Sequence, residues 1–360
     1  MNQRVILHVD FDYFYAQCEE IRTPDLKTKP VAVCMFSDRG GDSGAIATAN
    51  YTAREFGVKS GLSIQSAKQK LKDRTDSAFL PADFEYYSEM SEKSMNIIKK
   101  FADVFEYVGR DEAYLDVSEN VEQDFVKASH IAQQIKNEVR EKTKLTCSIG
   151  ISPNKLLSKI ASGYKKPDGL TTITPDKISE FMDTLNLEDI HGIGKKTVEK
   201  LAEEGIETIS QAKSLDIFAL INMFGRKAGT YIHNAIRGID DEPVKIRAPT
   251  LQLGKITTLK EDSVDYTFLE KSLFELCEKL HTSILKENKT FRSVGISLTQ
   301  TDLSGKTRSR MLRNPTLSLE ELKKVSGQLL KETLEDQSIC LLYTSPSPRD
   351  LSTSRMPSSA

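Results

Sequence analysis

The chain has 360 residues, 38% hydrophobic and 28% charged, with a formal net charge of −2. That balance excludes a uniformly basic nucleic-acid binder but leaves room for local basic patches, and the length suggests roughly two to four domains. No apolar run approaches the ~18 residues of a membrane span, no apolar leader precedes the first strand, and Cys18, Cys34, Cys147, Cys277 and Cys340 lie scattered without a CxxC pair, the usage of a reducing cytoplasm.

Val5 to Val9 is apolar throughout, as in a central buried strand. It closes on Asp10-Phe11-Asp12, and a helix opens near Ala16. Val31 to Phe36 reads as a second strand. The glycine-rich turn Arg39 to Gly44 and the run Ala45 to Ala49 follow, with Tyr51, Arg54 and Lys59 just beyond. An amphipathic helix from about Phe84 to Phe101 leads into the strand Val104 to Val108. Gly109-Arg110 then turns the chain into Asp111-Glu112 and the strand Ala113 to Val117. Asn120 and Gln123 form a capping-box pattern ahead of a helix from about Val121 to Lys142. After the strand Thr146 to Ile151, Ser152 is the expected cap of a helix with Pro153 at its first position. This alternation is that of an α/β sandwich.

The alternation stops after Lys166-Pro167-Asp168-Gly169, and residues from about 175 to 237 read as short helices only. Ile190-His191-Gly192-Ile193-Gly194-Lys195-Lys196 has the pattern of a helix-hairpin-helix. Its glycines permit a turn whose N–H groups face a DNA phosphate. Met223 to Gly229 is a weaker second copy. The plainer reading of both is a helical turn that needs glycine for its geometry. The polar stretch Gly238 to Pro249 is the candidate interdomain linker. Beyond it the chain returns to mixed strand and helix, with 16 Lys/Arg against 13 Asp/Glu over 244–339. Lys306, Arg308 and Arg310 alternate, so they share one face of a strand. Such a row suits successive phosphates or, alternatively, protects a solvated edge.

The chemistry rests on the two acidic clusters. Carboxylates at strand ends are costly to desolvate without a cation or several donors. Brought together on neighbouring strands, Asp10, Asp111 and Glu112 would repel unless a divalent metal lay between them. Hard oxygen ligands suit Mg²⁺, which bridges to substrate phosphates. The arrangement therefore points to two-metal phosphoryl or nucleotidyl transfer, against the alternative of two unrelated turns carrying solvated acids. The five histidines, His8, His130, His191, His233 and His281, are isolated in sequence and offer no zinc site or nuclease cluster.

Taken together, Val9 to Ala16, Ala47 to Arg54, Asp111 to Asp116, Gly150 to Lys155, Lys166 to Gly169 and the hairpin at Gly192-Ile193-Gly194 resemble the Y-family DNA polymerases, the lesion-bypass class, and most closely their archaeal branch. The resemblance runs from about Arg4 to Ile339. It implies a right-hand, multidomain α/β (α+β) fold: palm 1–18 and 79–166, fingers 19–78, helical thumb 167–237, linker 238–249 and a DNA-binding little finger 250–339. It also implies low-fidelity, template-directed synthesis from dNTPs on primer-template DNA. Asp10, Asp111 and Glu112, with the backbone carbonyl of Phe11, would hold two Mg²⁺ ions. Thr48, Tyr51, Arg54 and Lys166 would grip the triphosphate, Arg54 through its planar fork. Tyr15 would be the steric gate against ribonucleotides. Met35, Ala45, Ala47 and Gly61 would roof the nascent base pair, Met35 being bulkier than the small aliphatic residue usual there. Gly192, Gly194, Lys195, Lys196, Lys306, Arg308 and Arg310 would contact DNA. Asp12 reads as a supporting carboxylate and Lys159 as a phosphate contact or an ordinary solvated lysine. A cytoplasmic monomer is expected, with a sliding clamp as a partner although no clamp-binding motif is visible.

Two departures stand out. Gly109-Arg110 replaces the family's Ser-aliphatic pair before Asp111. Arg110 would compete with the metals there, unless it faces away as alternation along a strand permits. Residues 340–360 are rich in serine and proline where a basic strand belongs, and read as a disordered, non-native tail. The alternative to a polymerase is a non-catalytic DNA-binding scaffold of the same fold. It would require the carboxylates to be replaced, and all three are present. A nucleotide cyclase would account for the acids but not for the hairpin or the basic row.

Overall fold

A computed structural model describes residues 3–37, 39–246, 252–300, 302 and 304–335. In chain order come β1 (Ile6–Phe11), α1 (Phe14–Arg22), β2 (Val31–Phe36), β3 (Gly44–Ala49), α2 (Tyr51–Glu55), α3 (Ile64–Lys70) and β4 (Ala78–Pro81). Next are α4 (Phe84–Ile98), β5 (Val104–Tyr107), β6 (Glu112–Asp116), α5 (Phe125–Thr143), β7 (Cys147–Ser152), α6 (Lys155–Tyr164) and β8 (Leu170–Thr172). Five short helices follow: α7 (Ile178–Asp183), α8 (Lys195–Glu203), α9 (Ile209–Lys213), α10 (Ile217–Phe224) and α11 (Arg226–Ala235). Then come α12 (Tyr266–Lys286), β9 (Phe291–Thr299), β10 (Gly305–Thr316) and α13 (Leu319–Leu334). The elements form two compact units, residues 1–25 with 83–248 and residues 26–82 with 249–360.

The first unit is built on a sheet of order β5-β6-β1-β7-β8. β1 lies at its centre, antiparallel to both β6 and β7. Register sorts the side chains by face. Leu7, Val9 and Phe11 stand opposite Ile151, Ile149 and Cys147, making one apolar face. His8 and Asp10 stand opposite Gly150 and Ser148 on the other. α6 lies on this second face. An ideal Cβ on Gly150 would come 2.7 Å from Ala161 Cβ, and closer still to Ser158 O and Ser162 N. The missing side chain lets the helix touch the strand.

The caps differ from expectation in two places. Asp124 caps α5, accepting from Val126 N and Lys127 N, while Glu122 and Gln123 take positive φ in a turn. An Asx cap competes well for these N–H groups, and it shifts the helix start past Asn120. Asn154 caps α6 by accepting from Leu157 N, because Ser152 still belongs to β7 and donates its hydroxyl to Asn154 O at 2.6 Å.

The helices α7 to α11 share an apolar core of Leu201, Leu220, Ile232 and Ile236 with Leu157 and Ile160 of α6. The polar stretch from Gly238 has the composition of a linker but is docked as far as Lys245, whose N donates to Glu106 Oε2 at 3.1 Å. Val244 packs with Ile6 and Tyr114. Arg4 donates to the carbonyls of Asp240 and Glu242, both at 2.9 Å, and Asn154 Nδ2 donates to Gly238 O at 2.8 Å.

The second unit contains a sheet of order β3-β2-β4 and the hairpin β9-β10. The β2–β3 pairing shifts register between Val33 and Cys34, which leaves Ala47 without a partner across the ladder. Val294 and Ile296 of β9 pack with Leu269 and Cys277 of α12 and with Leu322, Val325 and Leu329 of α13. Arg39 ties the β2–β3 turn to the segment near residue 260 through Leu259 O at 2.9 Å and an ion pair with Asp262. The strand expected to be missing at 340–360 lies outside the described residues.

Candidate active site and nucleic-acid interface

The register of β1 against β6 sets Asp10 opposite Glu112. Asp111 occupies the turn just before β6, where its carbonyl accepts from Phe11 N at 2.8 Å. Three carboxylates from distant segments thus meet at one sheet edge. Asp111 is surface-exposed, but protein atoms crowd round its base and two like charges lie beside it. Desolvation first, then Asp10 and Glu112, push its carboxyl up to about 6. Glu112 moves the other way. Its desolvation is outweighed by the hydrogen bond from His8 and the charge of Lys159, which hold it well below the usual carboxylate range. Lys159 and Lys166 form ion pairs with Glu112 and Asp10 respectively.

His8 was missed by linear reading. It is fully buried, with Nδ1 at 2.7 Å from Ser162 Oγ and Nε2 at 3.3 Å from Glu112 Oε2. Burial lowers the pKa of its ring. It is therefore not isolated in space, and period-two alternation with Asp10 was the signal for it. Ligand atoms of His8, Asp10 and Glu112 lie within 4.8 Å of one another. Such an oxygen-rich set fits a hard divalent cation.

Asp12 points elsewhere. It is fully buried and accepts from Thr146 Oγ1 at 2.9 Å, Ser148 Oγ at 2.8 Å and Asp168 N at 2.8 Å. Its charge is met by donors and it braces the segment that carries Lys166. Arg110 does not reach the carboxylates as competition with the metals would require. Its guanidinium lies 5.4 Å from the Phe84 ring centroid and its Nε donates to Ser88 Oγ at 3.2 Å. Tyr15 stacks on Tyr87, with centroids 4.7 Å apart, and meets Phe84 edge-on at 5.9 Å.

In the second unit, Arg54 is exposed, lies 4.9 Å over the Tyr51 ring and donates through Nε to Ala49 O at 2.9 Å. Thr48 pairs with Val33 and Ala45 with Met35, so Met35 and Ala45 share a face. Gly61 has φ +85° and open space where a side chain would stand.

Gly192 has φ +88°, and a Cβ there would come 2.8 Å from the Tyr231 ring, whose hydroxyl donates to His191 O. Gly194 is the N-cap residue of α8, and Lys195 and Lys196 are exposed on its first turn. Gly225, at φ +78°, joins α10 to α11 in the second copy.

The row on β10 calls for a correction. Lys306, Arg308 and Arg310 stand opposite Leu298, Ile296 and Val294, so they line the half-buried side that faces α12 and α13. Arg310 pairs with Glu332 at 2.6 Å and donates to Gln328 at 2.8 Å. The residues in between, Thr307, Ser309 and Met311, are the exposed ones. Alternation placed the three cations on one face but could not say which face the helices cover.

Three carboxylates thus converge beside two lysines, with a glycine hairpin in the same unit. Family comparison specifies this arrangement further. Residues 9–163 match the impB/mucB/samB family, 188–240 the thumb domain of DNA polymerase iota and 251–344 the impB/mucB/samB C-terminal domain. DNA polymerase IV of Nitrosopumilus maritimus is 64% identical over 94% of this chain and 93% of its own length. That of Saccharolobus solfataricus is 36% identical over 92% of each. Among solved structures, a Dbh–Dpo4 chimera of the Y family covers 94% of this chain and 96% of its own at 32% identity, with TM-score 0.87. An insertion ternary complex of Dbh polymerase matches over the same shares, also at 32% identity, with TM-score 0.68. This chain belongs to the Y-family DNA polymerases and is polymerase IV-like. It is accordingly a DNA-directed DNA polymerase of the translesion class.

Proposed function

We propose that the primer 3′-hydroxyl is extended at the edge of β1 and β6, with Asp10, Asp111 and Glu112 as the catalytic carboxylates. The pairing of Asp10 with Glu112 carries this reading, because it concentrates negative charge that only cations can balance. Two Mg²⁺ ions, held by these three side chains and the Phe11 carbonyl, would neutralise triphosphate charge and acidify the hydroxyl. Lys159 and Lys166, now paired with Glu112 and Asp10, supply mobile positive charge suited to phosphate oxygens. His8 fixes the Glu112 carboxylate from behind, and Asp12 holds the loop that carries Lys166. Thr48, Tyr51 and Arg54 form the second unit's own triphosphate-binding set, while Met35, Ala45, Ala47 and Gly61 line the base-pair roof. Small residues there make selection by shape weak, which is the physical basis of low fidelity. Tyr15 rejects ribonucleotides by a clash with the 2′-hydroxyl.

The domain bounds follow: palm 1–18 and 79–166, fingers 19–78, thumb 167–237 and little finger 250–339. Primer-template DNA is bound through Gly192, Gly194, Lys195 and Lys196. Arg310, paired with Glu332 and Gln328, serves to hold α13. Replacing both Lys195 and Lys196 by Ala is expected to lower the slope of log affinity against log salt by about two, uniformly across sequences. Fluorescence anisotropy at several salt concentrations measures this, and an unchanged slope would remove the α8 turn from the interface. A sliding-clamp partner, a monomeric state and a cytoplasmic location are proposed on the resemblance. No helix among the described residues is long and apolar enough to cross a membrane.

Primer extension across an abasic site, with Mg²⁺ titrated and then chelated, tests the reading. Bypass that tracks free Mg²⁺ is expected. DNA binding without extension at any metal concentration would support the scaffold alternative instead.

A further inference from the structure

Lys136 of α5 is a buried lysine that the chemistry above does not use. A charge is costly to bury unless it is paired and hydrogen-bonded. Its Nζ donates to Cys147 O at 2.9 Å, Asp168 O at 2.6 Å, Asp168 Oδ1 at 2.8 Å and Gly169 O at 3.1 Å. All but the first of these acceptors belong to the turn just after Lys166. Asp168 holds φ +54° there, a left-handed conformation that a residue with a Cβ resists. Two further groups hold the same residue. Asp12 Oδ2 accepts from Asp168 N at 2.8 Å, and Arg140 of α5 forms an ion pair with Asp168 Oδ2. The turn is thereby fixed at the N–H, the carbonyl and both carboxylate oxygens of Asp168. Lys166 stands two residues before it and pairs with Asp10.

We propose that Lys136 is a positioning residue for the incoming nucleotide: by pinning the Asp168-Gly169 turn, it sets where Lys166 places its ammonium against the triphosphate. This rests on the reading of Lys166 as a triphosphate contact. A lysine is a point charge on a flexible stem, so its reach is defined only as well as the backbone that carries it. Lys136 suits the task because an ammonium presents three donors and no acceptor. It can gather carbonyls and a carboxylate of one turn at once, which an apolar residue of the same length cannot do. Small displacements of a positioning group are costly to catalysis, since the bound geometry must be close to the reactive one.

The test resolves KM for a dNTP from kcat in primer extension. Lys136→Met keeps an unbranched stem in the buried slot and removes the donors. It is expected to raise KM about tenfold while kcat stays within about threefold. Lys136→Arg, which keeps the charge and several donors, is expected to recover part of the loss. In a Lys166→Ala background, Lys136→Met should raise KM no further, since the contact it positions is gone. Emptying a buried ion site can also unfold a chain, so Asp168→Asn approaches the same pair from its exposed side. Asparagine tolerates the left-handed backbone but lacks the charge that Lys136 and Arg140 hold. A rise in KM of about threefold is expected, again only while Lys166 is present. An unchanged KM in Asp168→Asn, or equal rises with and without Lys166, would overturn the proposal. So would a lowered melting temperature in Lys136→Met with KM unaltered, which is the signature of a purely structural lysine. Lys166→Ala decides the underlying reading separately: if it leaves KM intact, Lys166 does not touch the triphosphate at all.

Discussion

Asp111→Ala should abolish templated extension while leaving the protein folded and able to bind DNA. A loss of roughly a thousandfold or more in kcat/KM is expected, about 4 kcal/mol of transition-state stabilisation. The fold should tolerate the change because Asp111 contributes to it through its backbone. Its carbonyl accepts from Phe11 N, a bond that alanine keeps. Its side chain sits beside Asp10 and Glu112, and that crowding drives its carboxyl toward the protonated form. Removing it relieves repulsion, so the unfolding midpoint should stay the same or rise. The combination is diagnostic: a residue needed only for packing would lower stability and activity together. Extension within tenfold of the unaltered chain would mean that the meeting of the two acidic clusters is not the catalytic centre.

Gly150→Ala should have the largest effect on stability of any single methyl addition near the site. The new Cβ would overlap the backbone of Ser158 and Ser162 and come 2.7 Å from Ala161 Cβ. None of these is the end of a flexible side chain, so α6 must lift off β7. Overpacking of this kind costs about 1–3 kcal/mol, and more where backbone has to move. Function should suffer too, since α6 carries Lys159 against Glu112 and Ser162 against His8. Gly163→Ala is the control. It lies on the same helix with nothing within 4 Å, and it should be neutral or stabilising by up to about 1 kcal/mol. Thermal denaturation of the pair reads the contrast. Equal melting temperatures would show that α6 does not rest on Gly150 as closely as described.

The three clustered carboxylates were legible because each ends or opens an apolar strand, where an ionised group has no reason to be unless it has a partner. The helix-hairpin-helix was legible for a similar reason. Gly192 and Gly225 take φ values that other residues resist, so the glycines mark the turns. The proposed roof residues and triphosphate set rest on family resemblance, and composition alone would not have singled out Ala45 or Thr48. Two helix starts were misplaced, because several Asx and Ser residues compete near each end and only three-dimensional packing selects one.

The sequence by itself determined the elements, the acidic pair of clusters and the family, since strand alternation, turn glycines and charged strand ends are local consequences of backbone geometry and desolvation. Tertiary structure decided which way side chains face. It put His8 against Glu112, turned Arg110 toward Phe84 and Ser88 of α4, and set the basic row of β10 on the side of the helices. Periodicity specifies that residues share a face, but which face is covered depends on partners distant in the chain, and no local pattern encodes that.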